Sequence, residues 1–244
     1  MRHRRPAAPL GHRAAAPEER SLTDPRFVGS FPRADVTLDP PHPEIAFLGR
    51  SNVGKSSLLN VIVGRRIAKV SASPGKTRML NVFEVPTKAW GGGDVGHVAE
   101  ARDPASHGRV PLPHGPTLFY LLDLPGYGYA RVSHTDRGGF RVLVEGALRR
   151  ATLSGVVWLL DIRHDLSKED REIRDLLSGV GVRTLAALTK GDKLPRGAGR
   201  KREAELAAEL ELDDDQMLLT SAKTGTGVAD LREALAALIG KAAG

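Results

Sequence analysis

There is no cysteine in the 244 residues of this sequence. That absence excludes a disulfide framework, a thiolate metal site and a cysteine nucleophile, and it fits a reducing compartment. Long apolar runs are missing too: nothing approaches the roughly 18–20 consecutive residues that cross a bilayer. The arginines near the N-terminus are not followed by an apolar segment, so they do not form a secretory signal. A histidine metal site finds no support, because His97, His107 and His114 stand ten and seven residues apart, which matches no usual ligand spacing. The expectation is a soluble cytoplasmic protein with no membrane contact.

What is present is a chain with 41% hydrophobic residues, enough for a sizeable core, and a length that suits one α/β domain with extensions. The formal net charge is +7. Excess positive charge favours anionic partners, nucleic acid first among the large ones, although solubility or an Arg- and Ala-rich composition accounts for it as well.

Residues 1–20 hold five Arg and two Glu among Pro and Ala. Residues 1–26 therefore read as a basic, disordered extension, either an RNA-contacting arm or a segment without function. Residues 27–43 read as an irregular, proline-rich lead-in. From Glu44, apolar runs alternate with amphipathic stretches. Strands are expected at 44–48, 79–85, 117–122, 156–160, 183–188 and 217–220, and helices at 55–63, 135–151, 168–178, 200–211 and 228–239. This alternation predicts an α/β, three-layer domain over 44–241, its sheet mostly parallel with helices on both faces. One antiparallel edge strand is expected, because 79–85 and 117–122 are joined without a helical signal. The joining segment, 86–116, is rich in Gly, Pro and His and reads as a flexible hairpin insertion.

The strongest motif is Gly49-Arg50-Ser51-Asn52-Val53-Gly54-Lys55-Ser56, a complete GxxxxGK[ST] phosphate loop between a buried strand and a helix. Gly49 and Gly54 let successive N–H groups turn toward the α- and β-phosphates. Lys55 reaches the β- and γ-phosphates, and the Ser56 hydroxyl ligates Mg²⁺. The following helix aims its positive end at the same anion. Asp123-Leu124-Pro125-Gly126 closes an apolar run, where the carboxylate can hold Mg²⁺ and the Gly126 N–H can sense the γ-phosphate. Thr189-Lys190-Gly191-Asp192 closes another. The Asp192 carboxylate can accept from guanine N1–H and the exocyclic amine, a donor pair adenine lacks, while the Lys190 stem covers the base. Thr220-Ser221-Ala222 follows the last strand, where a backbone N–H can meet guanine O6. Between the first two motifs, Ser71 to Arg78 is polar and aperiodic. Thr77 is the candidate to complete the Mg²⁺ shell, with Ser71 and Ser73 as competitors, and release of this loop after γ-phosphate loss would be a switch.

These signals, in this order, resemble the translation-factor-like GTPases. GRSNVGKSSLLN, SPGKTRMLNVF, DLPGYGYA, DIRHDLSKED and TKGDKL together resemble the EngB family, within the TrmE-Era-EngA-EngB-Septin-like class. That family is associated with assembly of the large ribosomal subunit and with normal septation. The resemblance runs from about Phe27 to the C-terminus, apart from 86–116. It implies GTP and GDP as ligands with Mg²⁺ on Ser56, Thr77 and Asp123. Gly49 through Ser56 would bind phosphates. Gly75, Lys76, Thr77, Arg78, Met79 and Leu80 would form the first switch, and Asp123 to Gly126 the second. Thr189 to Asp192 with Thr220 to Ala222 would hold the base, and Lys55, Thr77 and Gly126 would act in hydrolysis. The implied partner is a large-subunit precursor and its RNA; the sequence carries no signal for self-association, and a monomer is the default expectation. A GTPase acting on tRNA or translation and a GTP-sensing division adaptor are the alternatives.

Where Ras-like enzymes carry a water-orienting glutamine, this chain has Tyr127, so slow intrinsic hydrolysis completed by a partner is expected. Asn52 either helps bind a K⁺ ion that bridges the phosphates or simply shapes the loop. Asp161-Ile162-Arg163-His164 has no nucleophile to pair with, and reads as a turn-fixing or partner-meeting stretch. Arg131, Arg137, Arg141, Arg149 and Arg150 form either an RNA-facing surface or a solvated helix face. Trp158 reads as core and Trp90 as loop.

Overall fold

The computed structural model describes residues 24–69, 79–87, 100–102, 109–111, 118–128, 134–195 and 197–240. In chain order the strands are Arg26–Phe31 (β1), Glu44–Gly49 (β2), Leu80–Pro86 (β3), Glu100–Arg102 (β4), Arg109–Pro111 (β5), Leu118–Asp123 (β6), Leu153–Asp161 (β7), Thr184–Thr189 (β8) and Met217–Leu219 (β9). The helices are Lys55–Val63 (α1), His134–Leu148 (α2), Lys168–Val180 (α3), Ala198–Leu210 (α4) and Val228–Gly240 (α5).

Seven strands form one sheet in the order β1-β3-β6-β2-β7-β8-β9. From β6 to β9 every neighbour is parallel, while β3 runs against both β6 and β1. The strand of opposite direction is thus the one expected, but it lies one place in from the edge. The edge is β1, which apart from Arg26 lies in the stretch that reads as an irregular lead-in. Its short run is interrupted at Gly29 and its register with β3 shifts between Phe27 and Gly29, so it shows no alternation of its own and is defined by pairing with β3. Within 86–116, Glu100–Arg102 (β4) and Arg109–Pro111 (β5) pair into a separate two-stranded sheet.

Strand side chains alternate between two cores, one per face. Ala46, Leu48, Val156, Trp158, Ala186 and Leu188 pack with α2, α3 and α4. Ile45, Phe47, Val157, Leu159, Leu185 and Ala187 pack with α1 and α5. These are the three layers the alternation predicts. Because β2, β6, β7, β8 and β9 run parallel, the loops at their C-terminal ends share one edge of the sheet, where the α/β architecture places ligands.

Candidate functional site

Gly49 ends the wholly buried β2 beside β7, and a Cβ there would lie 2.9 Å from the Leu159 carbonyl oxygen, so the turn into the phosphate loop needs glycine. Asn52 (φ 65°) and Gly54 (φ 106°) are left-handed, which curls the backbone over the start of α1. No side chain caps α1 at Gly54, whereas Ser167 and Asp170 form a full capping box on α3. The α1 N–H groups and the positive helix end therefore face the loop interior, ready for an anion. At the far end of α1, Arg232 of α5 donates to the Val61 and Ile62 carbonyls and anchors the helix.

Asp123, at the end of β6, is 4% exposed and forms an ion pair with Lys55 through Oδ1. Its Oδ2 accepts from Asn81 Nδ2 at 3.3 Å, and Asn81 Oδ1 accepts from the Ser30 hydroxyl at 2.6 Å. A carboxylate can only accept, so it dictates which way the Asn81 amide faces. β1 thereby reaches the site through one side chain. The segment after β6 is stitched to the phosphate loop by backbone bonds: Ser51 N–H to the Tyr127 carbonyl at 2.8 Å, and Tyr127 N–H to the Gly49 carbonyl at 3.2 Å. At Gly126, a Cβ would lie 2.9 Å from the Ser51 nitrogen.

The Tyr127 side chain turns away from this loop and into the core. Its hydroxyl donates to Asp170 Oδ1 at 2.8 Å and accepts from the Trp158 indole at 2.8 Å. Burial and the neighbouring Asp170 charge raise the phenol well above its ordinary pKa despite the Trp158 donor, so it stays a neutral donor. Asp170 also accepts from the Ser167 N–H and hydroxyl, and Arg50 stands 3.9 Å from it.

On the other side of the phosphate loop, the buried Thr189 hydroxyl lies 2.7 Å from the Val53 carbonyl and 3.1 Å from that of Leu160. Lys190, itself left-handed at φ 63°, donates from Nζ to the Asn52 carbonyl and to Asp161 Oδ2, both at 2.8 Å. Asp161 also receives the Arg163 fork at 2.9 and 2.8 Å. Burial pushes the Asp161 carboxyl up, but hydrogen bonds from Arg163 and Lys190 outweigh it and hold the group well below the ordinary carboxylate range. The Ser221 hydroxyl donates to Asp192 Oδ1 at 2.7 Å and lowers that carboxyl's pKa. The Gly191 N–H to Thr220 carbonyl bond, 3.0 Å, joins the loops that follow β8 and β9.

Four motifs of the sequence, Gly49–Ser56, Asp123–Gly126, Thr189–Asp192 and Thr220–Ala222, thus meet along one sheet edge. Within them the side chains of Val53 and Leu124, with Leu80 of β3, are buried, which leaves only backbone atoms for a ligand. Met79 is 37% exposed beside them. Gly75, Lys76, Thr77 and Arg78 lie outside the described residues, as do Ser71, Ser73, Trp90, Arg131 and the three insertion histidines. Among the described residues no cluster of three or more His, Asp or Glu could hold a metal alone. Ser56 and Asp123 offer the hard oxygens that Mg²⁺ takes, and the Lys55 ammonium on Asp123 shows that this buried carboxylate accommodates a cation.

One arginine leaves the suggested basic face: Arg150 is internal, bound to Glu44 and to the Ala34 and Val36 carbonyls at the opposite end of β2, whereas Arg141 stays exposed on α2 beside Glu145. Asn81, Asp170 and Asn60 were not singled out by sequence. Asn60 accepts from the Ile67 and Ala68 N–H groups and donates to the Ala68 carbonyl, pinning the chain just after α1. Asn60 and Asn81 each stand inside a quoted motif stretch, but a polar residue on a strand or helix carries no local sign of its partner.

The model of the family described as 50S ribosome-binding GTPase matches residues 44–190. A probable GTP-binding protein EngB of Gemmatimonas aurantiaca is 43% identical over 209 residues, covering 85% of this chain and 86% of its own length. Its counterpart in Hyphomonas neptunium is 38% identical over 241 residues, covering 92% and 97%. Among solved structures, Aquifex aeolicus Era bound to GDP and AlF4⁻ superposes with a TM-score of 0.58 at 19% identity, over 80% of this chain and 56% of that one. A probable GTP-binding protein engB gives a TM-score of 0.53 at 18% identity, over 81% and 99%.

Proposed function

We propose that this chain, which belongs to the EngB family of GTP-binding proteins and is a GTPase, acts as a nucleotide-controlled switch on a large-subunit ribosomal precursor and its RNA, and through it supports normal septation. The observation that carries the reading is the convergence of the phosphate loop, Asp123–Gly126 and the two base loops on one sheet edge. GTP or GDP lies along that edge. Backbone N–H groups of Gly49–Ser56 and the start of α1 hold its phosphates, Lys55 exchanges Asp123 for the β- and γ-phosphates, and Asp192, oriented by Ser221, accepts from guanine. Ser56 and Asp123, with Thr77 from the first switch, would hold Mg²⁺, which would supply positive charge against the phosphates. The Gly126 N–H senses the γ-phosphate, and the Ser51 hydroxyl on the Gly126 carbonyl with the Tyr127 backbone bonds to the phosphate loop gives a route from nucleotide state to the second switch.

Hydrolysis is slow without a partner in this reading. The Tyr127 side chain is committed to Trp158 and Asp170, so the position after Gly126 presents no group that orients water. The exposed Asn52 side chain, on a left-handed residue of the phosphate loop, is the K⁺ ligand candidate; equal hydrolysis rates in potassium and sodium salts would remove that role. The protein works as a cytoplasmic monomer; among the described residues no helix is long and apolar enough to cross a membrane.

The test is sedimentation of the purified protein with ribosomal particles, comparing GDP with a non-hydrolysable GTP analogue. Analogue-dependent binding to large-subunit precursors is the expected result. Binding to mature particles or to tRNA would replace assembly by a translation role. Nucleotide binding with neither turnover nor particle binding would point to a division adaptor.

A further inference from the structure

The stretch Asp161-Ile162-Arg163-His164 has no role in the chemistry above, yet it lies against the base loop. β7 and β8 are parallel and in register at Asp161 and Thr189, so the carboxylate at the end of β7 stands beside the residue preceding Lys190. Asp161 Oδ2 takes the Lys190 ammonium at 2.8 Å and Arg163 Nη2 at 2.8 Å, while Oδ1 takes the Arg163 backbone N–H at 3.2 Å and Nε at 2.9 Å. His164 Nε2 is 3.9 Å away. Every acceptor direction of the carboxylate is engaged, and the Arg163 fork fixes its plane.

Lys190 bridges two loops. Its backbone is left-handed, a conformation a lysine holds only when its surroundings impose it. From there the side chain spans to the phosphate loop and donates to the carbonyl of Asn52, another left-handed residue. Its Cε lies about 4.0 Å from where a Gly54 Cβ would be, so the stem runs over the turn that shapes the phosphate cradle. A flexible four-carbon side chain cannot hold that path alone, because its rotamer freedom opposes it.

We infer that Asp161 is a positioning residue for nucleotide binding: it clamps the Lys190 ammonium between the base loop and the Asn52 carbonyl, and Arg163 holds the clamp in its plane. This rests on the guanine-nucleotide reading of the site. Asp161 acts before the ligand arrives, pre-ordering the lysine stem that covers the base and tying base occupancy to phosphate-loop shape. Asparagine would not substitute, because its amide must turn an N–H donor toward either Lys190 or Arg163, both donors themselves.

The experiment compares wild type, Asp161→Asn, Lys190→Met and the double variant for affinity and dissociation rate of GDP, with ADP as the control ligand. Asp161→Asn should weaken GDP binding by about tenfold or more, through faster dissociation, as loss of a charge-assisted hydrogen bond does. The double variant should bind no worse than Lys190→Met alone, because Asp161 works through that lysine. Asp161→Glu, which keeps the charge but displaces it by one methylene, is the second variant should Asp161→Asn not fold, and it should weaken GDP binding in the same way. Unchanged GDP dissociation in a folded Asp161 variant, or losses that multiply in the double variant, would overturn the inference while wild-type GDP binding leaves the site intact. Wild type that prefers ADP, or binds neither, would overturn the guanine reading and the inference with it.

Discussion

The Trp158 indole N–H donates to the Tyr127 hydroxyl at 2.8 Å, joining the middle of β7 to the segment after Gly126. The same hydroxyl donates to Asp170 in the first turn of α3. Tyr127→Phe keeps the ring and strands both partners in the core. It should lower stability by about 1–3 kcal/mol and alter the emission of Trp158. Urea unfolding with tryptophan fluorescence measures both; an unchanged midpoint and spectrum would show the hydroxyl to be idle.

Asn81 reaches the Asp123 carboxylate from β3 and is itself held by Ser30. Asn81→Ala should raise the Mg²⁺ concentration needed for tight GDP binding by about tenfold, the usual cost of losing a partner that orients a metal-binding carboxylate. Binding in chelator should change little. A Mg²⁺ titration of GDP affinity separates the two, and an equal loss with and without Mg²⁺ would refute the assignment.

Asp192 is oriented by the Ser221 hydroxyl. Asp192→Asn puts a donor where guanine presents donors, so GTP affinity should fall by about two orders of magnitude or more. Xanthosine triphosphate, with a carbonyl in place of the exocyclic amine, should gain. Competition binding with the two nucleotides reads the exchange, and retained GTP preference would place the base elsewhere.

Arg150 binds Glu44 at 2.5 and 2.7 Å, and Glu44 is 1% exposed. Arg150→Met leaves a buried carboxylate without its partner and should cost about 3–5 kcal/mol. Replacing Glu44 with Leu as well should return much of it. Urea denaturation of the single and double variants is the check. If the single variant is as stable as wild type, this ion pair does not hold the lead-in to the sheet.

The Asp161 carboxyl is held below its ordinary value in the folded protein. A depressed folded pKa gives stability that is full above the unfolded value of about 3.9 and is lost as pH falls below it. The stability difference between wild type and Asp161→Asn should therefore be flat from about pH 5 to pH 8 and shrink only below about pH 4. A difference that disappeared near neutrality would assign the bonding to another group.

The phosphate loop, the order of the central strands and helices from Glu44 on apart from β4 and β5, and the three layers were legible in the sequence by itself. Each is written in local terms: glycines where the backbone must turn, a lysine and serine at a helix start, apolar residues at strand or helix period. The expected helix 55–63 coincides with α1, and the expected strand 44–48 with all but the last residue of β2. Tertiary structure alone decided what depends on a distant partner. β1 is a strand because β3 pairs with it about fifty residues on. Tyr127 faces Trp158 and Asp170, and Arg150 faces Glu44, across 31, 43 and 106 residues. Polar side chains announce their chemistry in sequence but not their direction. Direction is set by which strands lie side by side and where the core leaves a polar group in need of a partner.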